Sequence, residues 1–436
     1  LGRLFGTDGV RGLANADLTP ELALALAVSA AHEVAVRSGD SRPLAVVGRD
    51  TRPSGELLES AVVAGLLSAG CDVEVLGVTP TPAVSYAVAS GARSLGVVVS
   101  ASHNPMPDNG VKFFGAGGYK LHDDVEDRIA AGLHAAWERP VGRGVGRRYD
   151  DVGDVRRAEY VAHHVATAVP FGGLRVVLDC ANGAGSVVAP EALRRAGADV
   201  TVLNDDLSGY RINDGCGATA MDGLCAAVVE HGADAGIALD GDADRCLAVS
   251  AGGEVVDGDQ LLAILAVDGE APAVVATVMA NLGFTRAMSE RGIEVVRTAV
   301  GDRYVLEAMR ERGIGLGGEQ SGHLVMTDHM PTGDGLLTAL QVLSVMARTG
   351  RTLADLATVM TRLPQVLLNV RVPDKNAALA AAAGAVAEAE AELGDSGRVL
   401  VRPSGTEPLV RVMVEAESED VARRVAQAVE RSILPG

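Results

Sequence analysis

Three aspartates fall at alternate positions in AGIALDGDADRCLAVS: Asp240, Asp242 and Asp244, with Arg245 next. Carboxylates this close repel one another unless a cation compensates, and an all-oxygen donor set selects a hard ion, Mg2+ or Ca2+. An EF-hand loop would need glycine where Arg245 stands and glutamate where Ala251 stands. Three carboxylates leave octahedral positions for a phosphate oxygen and waters, which favours Mg2+. A solvated acidic turn is the plainer alternative.

A second group lies in LGVVVSASHNPMPDNGVKFFG. Ser100, Ser102 and His103 follow the apolar run Leu95–Val99, and Lys112 comes ten residues after Ser102. Lys112 is one of three lysines, with Lys120 and Lys375, against 35 arginines. Hydroxyls, an imidazole and an ammonium gather at the carboxyl end of a buried strand, where open α/β sheets place ligands. A strand with a polar turn is the alternative.

VRPSGTEPLVRV brings Arg402, Ser404, Gly405 and Thr406 into a tight turn, with Arg411 on the returning strand. The guanidinium fork, hydroxyls and turn N–H groups suit a phosphate; alone, the stretch reads equally as a plain hairpin. In GLGGEQSGHLVM, Glu319, Ser321 and His323 alternate, so an extended segment points them to one side. A carboxylate and a hydroxyl can grip a sugar and the imidazole can move a proton, although a loop histidine satisfied by its neighbours fits as well. Gly183–Val188, with Asp205 beyond, lacks the third glycine of a dinucleotide fingerprint.

The positioning elements repeat. AGCDVEVL (69–76), AGADVTVL (196–203) and RGIEVVR (291–297) each follow a helical pattern, Glu56–Ser68, Pro190–Arg195 and Thr285–Glu290. Gly70, Gly197 and Gly292 mark the helix ends. Strands are expected before the helices at Leu44–Val47, Arg175–Leu178 and Ala273–Val278. Three similar α/β domains with mixed sheets follow, enclosing a central cleft with a smaller C-terminal α+β domain. The latter reads as helix Lys375–Leu393, a hairpin and helix Glu419–Ile433 capped by Ser418. The expected domains are 1–150, 151–252, 253–368 and 369–436, with closure of the last about a hinge near Leu363–Pro373.

Length and charge limit the function. A chain of 436 residues exceeds one ordinary core. A net charge of −19 argues against nucleic acid as a partner. Five cysteines without a C-x-x-C pair imply no disulfide framework. No run of 18 apolar residues and no secretory hydrophobic segment occur, so no membrane partner and a cytoplasmic location are expected.

SASHNP, DGDADR, GEQSGH and RPSGTEP occur in that order, and with LFGTDGVRG (4–12) the set resembles the signatures of the α-D-phosphohexomutase family, in its amino-sugar branch. Cys216-Gly-Ala-Thr-Ala220 departs from a Cys-Gly-Ser-Thr-His pattern in the second domain. The resemblance implies interconversion of glucosamine 6-phosphate and glucosamine 1-phosphate through a phosphoserine at Ser102 and a bound bisphosphate, supplying precursor for UDP-N-acetylglucosamine. It implies one Mg2+ per subunit on Asp240, Asp242, Asp244 and Ser102. Arg11, His103, Lys112, Arg245 and His323 would line the transfer site. Glu319 and Ser321 would hold the sugar, and Arg402, Ser404, Gly405, Thr406 and Arg411 the distant phosphate. A sugar bisphosphate would prime the enzyme, and a kinase or bisphosphate donor would activate it, as a monomer or homodimer. The alternatives are a glucose- or mannose-phosphate mutase of the same family, or a metal-dependent sugar-phosphate phosphatase with an aspartate nucleophile.

Overall fold

The computed structural model describes residues 3–35, 42–404 and 408–433. They form two compact units, residues 1–279 with 293–359, and residues 280–292 with 360–436.

The larger unit contains three mixed sheets. The first runs Val10–Leu13, Asp108–Phe114, Leu95–Val99, Leu44–Arg49, Asp72–Val78, Arg148–Tyr149 across its width. Its central strands are parallel and covered on both sides, which explains their unbroken apolar runs. Pleating sends Val97 and Val99 into one core with Leu26, Leu58 and Val62, and Val98 into another with Val84 and Val88. The second sheet orders Val255–Val256, Cys246–Ser250, Ala235–Leu239, Arg175–Asp179, Asp199–Leu203. The third orders Glu294–Thr298, Ala273–Thr277, Leu316–Gly318, Leu324–Met326. Gly70, Gly197 and Gly292 take φ of +93°, +98° and +72°, the left-handed helix ends that the repeats predict.

In the smaller unit, Leu409–Glu415 lies between Gln365–Arg371 and Arg398–Pro403, antiparallel to both. Helices Lys375–Leu393 and Glu419–Ile433 pack on this sheet with the predicted limits. The two units divide at 359/360, just before the segment Leu363–Pro373 expected to hinge, and most of that segment is a strand. Gln365–Arg371 pairs with Leu409–Glu415 at all seven positions, so this backbone is committed to a ladder. Helix Leu282–Glu290 belongs to this unit; Leu282 N donates to buried Glu415 at 2.8 Å.

The motif loops share one device. Val99 pairs with Val111, Leu239 with Cys246, Gly318 with Leu324 and Pro403 with Val410, all antiparallel. Each chemically interesting loop thus joins two antiparallel strands. Among the described residues no helix is long and apolar enough to cross a membrane. All five cysteines are free thiols.

Candidate active site

Ser102 follows a strand buried at every position and adopts φ +52°. Its hydroxyl is buried and donates to Asp240 Oδ2 at 2.6 Å. His103 Nδ1 lies 3.4 Å from the same oxygen. Burial first, then Arg245 and Arg11, push the His103 imidazole down to about 4, so it stays neutral near pH 7.

Asp240, Asp242 and Asp244 are buried, and each offers a carboxylate oxygen within 4.8 Å of the others'. Lys112 Nζ reaches Asp242 at 2.8 Å, Asp8 at 2.8 Å and Asp244 at 3.7 Å. Thr81 donates to Asp242 Oδ2 at 2.6 Å. Burial, followed by repulsion from Asp244 and Asp242, drives the Asp240 carboxyl well above its ordinary range. Burial also works to raise Asp244, but Lys112 and His323 overcome it and hold Asp244 low. Asp242 Oδ1 and Asp244 Oδ1 are buried without a hydrogen-bond partner among the described residues. Orphaned carboxylate oxygens beside a carboxyl that resists ionisation fit a hard divalent cation, with the Ser102 oxygen close enough to join the donor set.

Three carboxylates alone do not balance this cluster. Asp8 binds Arg11, Lys112 and Lys120, and Lys120 also binds Asp302. Burial opposes the charged form of Lys112, yet Asp242 and Asp8 win and keep it protonated. His323 lies 3.6 Å from Asp244 and 3.5 Å from Asp302. Burial would lower its imidazole, but these carboxylates leave it above its ordinary value.

Sequence reasoning singled out neither Asp8, Lys120 nor Asp302. Asp8 sits inside the quoted N-terminal motif, and the scarcity of lysine was a usable signal for Lys120, whose bonds to Asp8 and Asp302 span 112 and 182 residues. Asp302 offers no local signal.

Glu319–His323 is a hairpin, which corrects the extended reading. Gly322 has φ +91°, and Glu319 N donates to His323 O at 3.0 Å. Glu319 Oε1 accepts from Gly301 N at 3.2 Å, while Ser321 Oγ is buried with no hydrogen-bond partner among the described residues. Burial leads the rise of the Glu319 carboxyl, and Asp302 adds to it. Arg245 N donates to Asp240 Oδ1 at 3.2 Å, and its guanidinium lies 4.0 Å from Asp244.

In the smaller unit Arg402 and Arg411 stand directly opposite in the ladder. Burial and then Arg411 lower the Arg402 guanidinium, the signature of a cation crowded by another. Arg411 lines a cavity of about 420 Å³ with Leu367, Asn369, Arg371 and Leu409. Ser404 is buried and its carbonyl accepts from Lys375 at 2.7 Å. Gly405 and Thr406 lie outside the described residues.

The four domain models of phosphoglucomutase/phosphomannomutase match in order: α/β/α domain I at 2–139, domain II at 158–253, domain III at 257–363 and the C-terminal domain at 367–432. A phosphoglucosamine mutase from Saccharopolyspora erythraea is 61% identical over 437 residues, covering 98% of each chain. One from Salinispora tropica is 58% identical over 447 residues, covering 99% of this chain and 98% of that relative. Among solved structures, a phosphoglucomutase/phosphomannomutase family protein from Burkholderia thailandensis aligns with a TM-score of 0.84 at 25% identity, covering 99% of this chain and 97% of that one.

Proposed function

The chain belongs to the α-D-phosphohexomutase family, in its phosphoglucosamine mutase branch, and from that premise we propose that it interconverts glucosamine 6-phosphate and glucosamine 1-phosphate with Ser102 as phosphoryl carrier. It is an enzyme of the isomerase class, an intramolecular phosphotransferase.

One observation carries the assignment to Ser102: its buried hydroxyl sits 2.6 Å from Asp240 inside the three-carboxylate cluster. In the active form Ser102 bears a phosphate. The free sugar hydroxyl attacks phosphorus, the P–Oγ bond breaks, a P–O bond to the sugar forms and the hydroxyl proton leaves to a base. The bisphosphate turns within the site. Its other phosphate then returns to Ser102, and the sugar oxygen it leaves takes up a proton. The phosphate changes its position between the two sugar oxygens, and nothing else is consumed.

A phosphate ester adds about −1.5 to −2 charges beside three aspartates. Asp240, Asp242, Asp244 and Ser102 would hold one Mg2+, which when bound offsets that charge. Lys112, pinned between Asp8 and Asp242, serves as a fixed positive charge at the transfer site. His323, between two carboxylates, is the proton carrier. Arg11, His103 and Arg245 line the reacting phosphate. Glu319 and Ser321 take the sugar hydroxyls, Ser321 Oγ being a buried hydroxyl with no partner among the described residues. Arg402, Ser404, Gly405, Thr406 and Arg411 take the phosphate at rest, since two opposed arginines are relieved by a shared anion. The expected divisions at 150, 252 and 368 put Ser102 in the first domain, the three aspartates in the second, Glu319 to His323 in the third and the arginine pair in the fourth. The first phosphate comes from a kinase or a sugar bisphosphate, and the product feeds synthesis of UDP-N-acetylglucosamine.

The test is a panel of glucosamine, glucose and mannose 6-phosphates with Mg2+ and catalytic bisphosphate. The highest kcat/KM is expected for glucosamine 6-phosphate; equal or higher values for another sugar contradict the substrate assignment.

A further inference from the structure

Ser102 occupies the left-handed region, which side chains other than glycine rarely adopt. What holds it there acts on its carbonyl. Arg52 is fully buried, and its Nη2 donates to Ser102 O at 2.9 Å and Asn104 O at 2.7 Å. Its Nη1 donates to Asp108 O at 3.0 Å and also to Pro105 O. One guanidinium therefore gathers four carbonyls of the serine loop. Asp50 Oδ2 accepts from Arg52 Nε at 2.9 Å and from Ser100 Oγ at 2.7 Å, and Ser100 Oγ accepts from Ser102 N at 2.9 Å.

A second donor comes from another part of the chain. Asn213 Nδ2 donates to the same Ser102 O at 2.8 Å and to Asn104 O at 3.1 Å. Its own backbone N donates to Ala181 O at 2.9 Å, beyond the strand Arg175–Asp179 of the second sheet. Gly241 makes room. A Cβ there would lie 2.6 Å from Ser102 O and 2.9 Å from Asn213 Nδ2. The small residue between Asp240 and Asp242 thus lets the aspartate loop and the serine loop close on one another.

We propose that Arg52 and Asn213 are positioning residues for phosphoryl transfer: two donors anchored on different sheets grip the Ser102 carbonyl and so fix the direction in which Oγ leaves the backbone toward Asp240. Neither touches the reacting oxygen. Arginine is required at 52 because a lysine keeps the charge beside Asp50 but cannot spread over four acceptors. Asn213 sets the serine loop in register with the aspartate loop. The proposal rests on Ser102 as the phosphoryl carrier.

Asn213→Ala, Asn213→Asp and Arg52→Lys test it, with Ser102 phosphorylation of the parent enzyme mapped by mass as the separate check on the carrier. Each variant is measured for kcat, KM, thermal midpoint and the single-turnover rate from preloaded phosphoserine to sugar. Asn213→Ala is expected to lower kcat and the single-turnover rate about tenfold with KM and midpoint unchanged. Asn213→Asp, which turns a carboxylate oxygen on the carbonyl, and Arg52→Lys lower both rates about a hundredfold. Should Arg52→Lys fail to fold, the two Asn213 variants decide. Unchanged rates in both, or a loss confined to KM or to the folded fraction, overturn the proposal. A parent enzyme whose phosphate maps elsewhere overturns the carrier assignment and the proposal with it, whatever the variants do.

Discussion

The serine–aspartate cluster and the C-terminal arginine pair are both charged, and they are built on opposite lines. In the first, cations and carboxylates interleave: Lys112 lies between Asp8 and Asp242, Lys120 between Asp8 and Asp302, and His323 between Asp244 and Asp302. In the second, Arg402 and Arg411 face one another across a ladder, and burial and then Arg411 lower the Arg402 guanidinium. Under the proposed function, the two arrangements suit different tasks toward a phosphate. A cluster whose cations and carboxylates interleave is preorganised to let charge move, the condition for stabilising a transition state. Two like charges held together store an affinity that a dianion releases, the condition for holding a group that does not react.

The sharpest way to break the comparison is Ser102→Ala. The phosphorylated carrier is lost, and mutase activity should fall by about ten-thousandfold or more. Activity largely kept would point to an aspartate nucleophile and a hydrolase. Chelation comes next. Removing divalent metal should cost about a thousandfold, restored by Mg2+, and titration calorimetry should show Asp244→Asn losing Mg2+ binding. The arginine pair should answer differently. Arg411→Lys keeps the charge and loses the fork, so KM should rise about tenfold with kcat little altered. A fall in kcat at unchanged KM would place Arg411 in the chemistry and erase the contrast.

The smallest effect is on stability. In the unphosphorylated, metal-free protein His103 is held down to about 4 by burial, Arg245 and Arg11. The unfolded chain binds that proton near pH 6.5, so folding loses stability as pH falls from about 6.5 to about 4. His103→Asn should flatten the thermal midpoint across that window relative to the parent. An unchanged slope would show that His103 is not desolvated.

The regular elements were legible wherever one rule decided them. Leu95–Val99 is a branched, apolar strand, and Lys375–Leu393 is an alanine-rich helix begun by the Asp374 cap; both have the predicted limits. Gln365–Arg371, inside the segment Leu363–Pro373 expected to hinge, is a strand whose partner begins only at Leu409, out of reach of any local pattern. The site residues carried by short motifs were visible for a chemical reason: three carboxylates in five residues need a cation. Asp302 and Arg52 were not, because their bonding partners are scattered through the chain: Lys120 for one, and carbonyls 50 to 56 residues away for the other. Glu319 to His323 misled for a local reason, since Gly322 at φ +91° bends an alternating pattern into a turn.

A phosphoserine mutase must carry its phosphate on Ser102 during turnover. The enzyme is incubated with Mg2+ and glucosamine 1,6-bisphosphate, then digested and mapped by mass spectrometry. A single phosphate on Ser102, chased into sugar by unlabelled glucosamine 6-phosphate at the rate of turnover, is the predicted result. Phosphate on an aspartate, or on Ser102 but leaving slower than turnover, contradicts it.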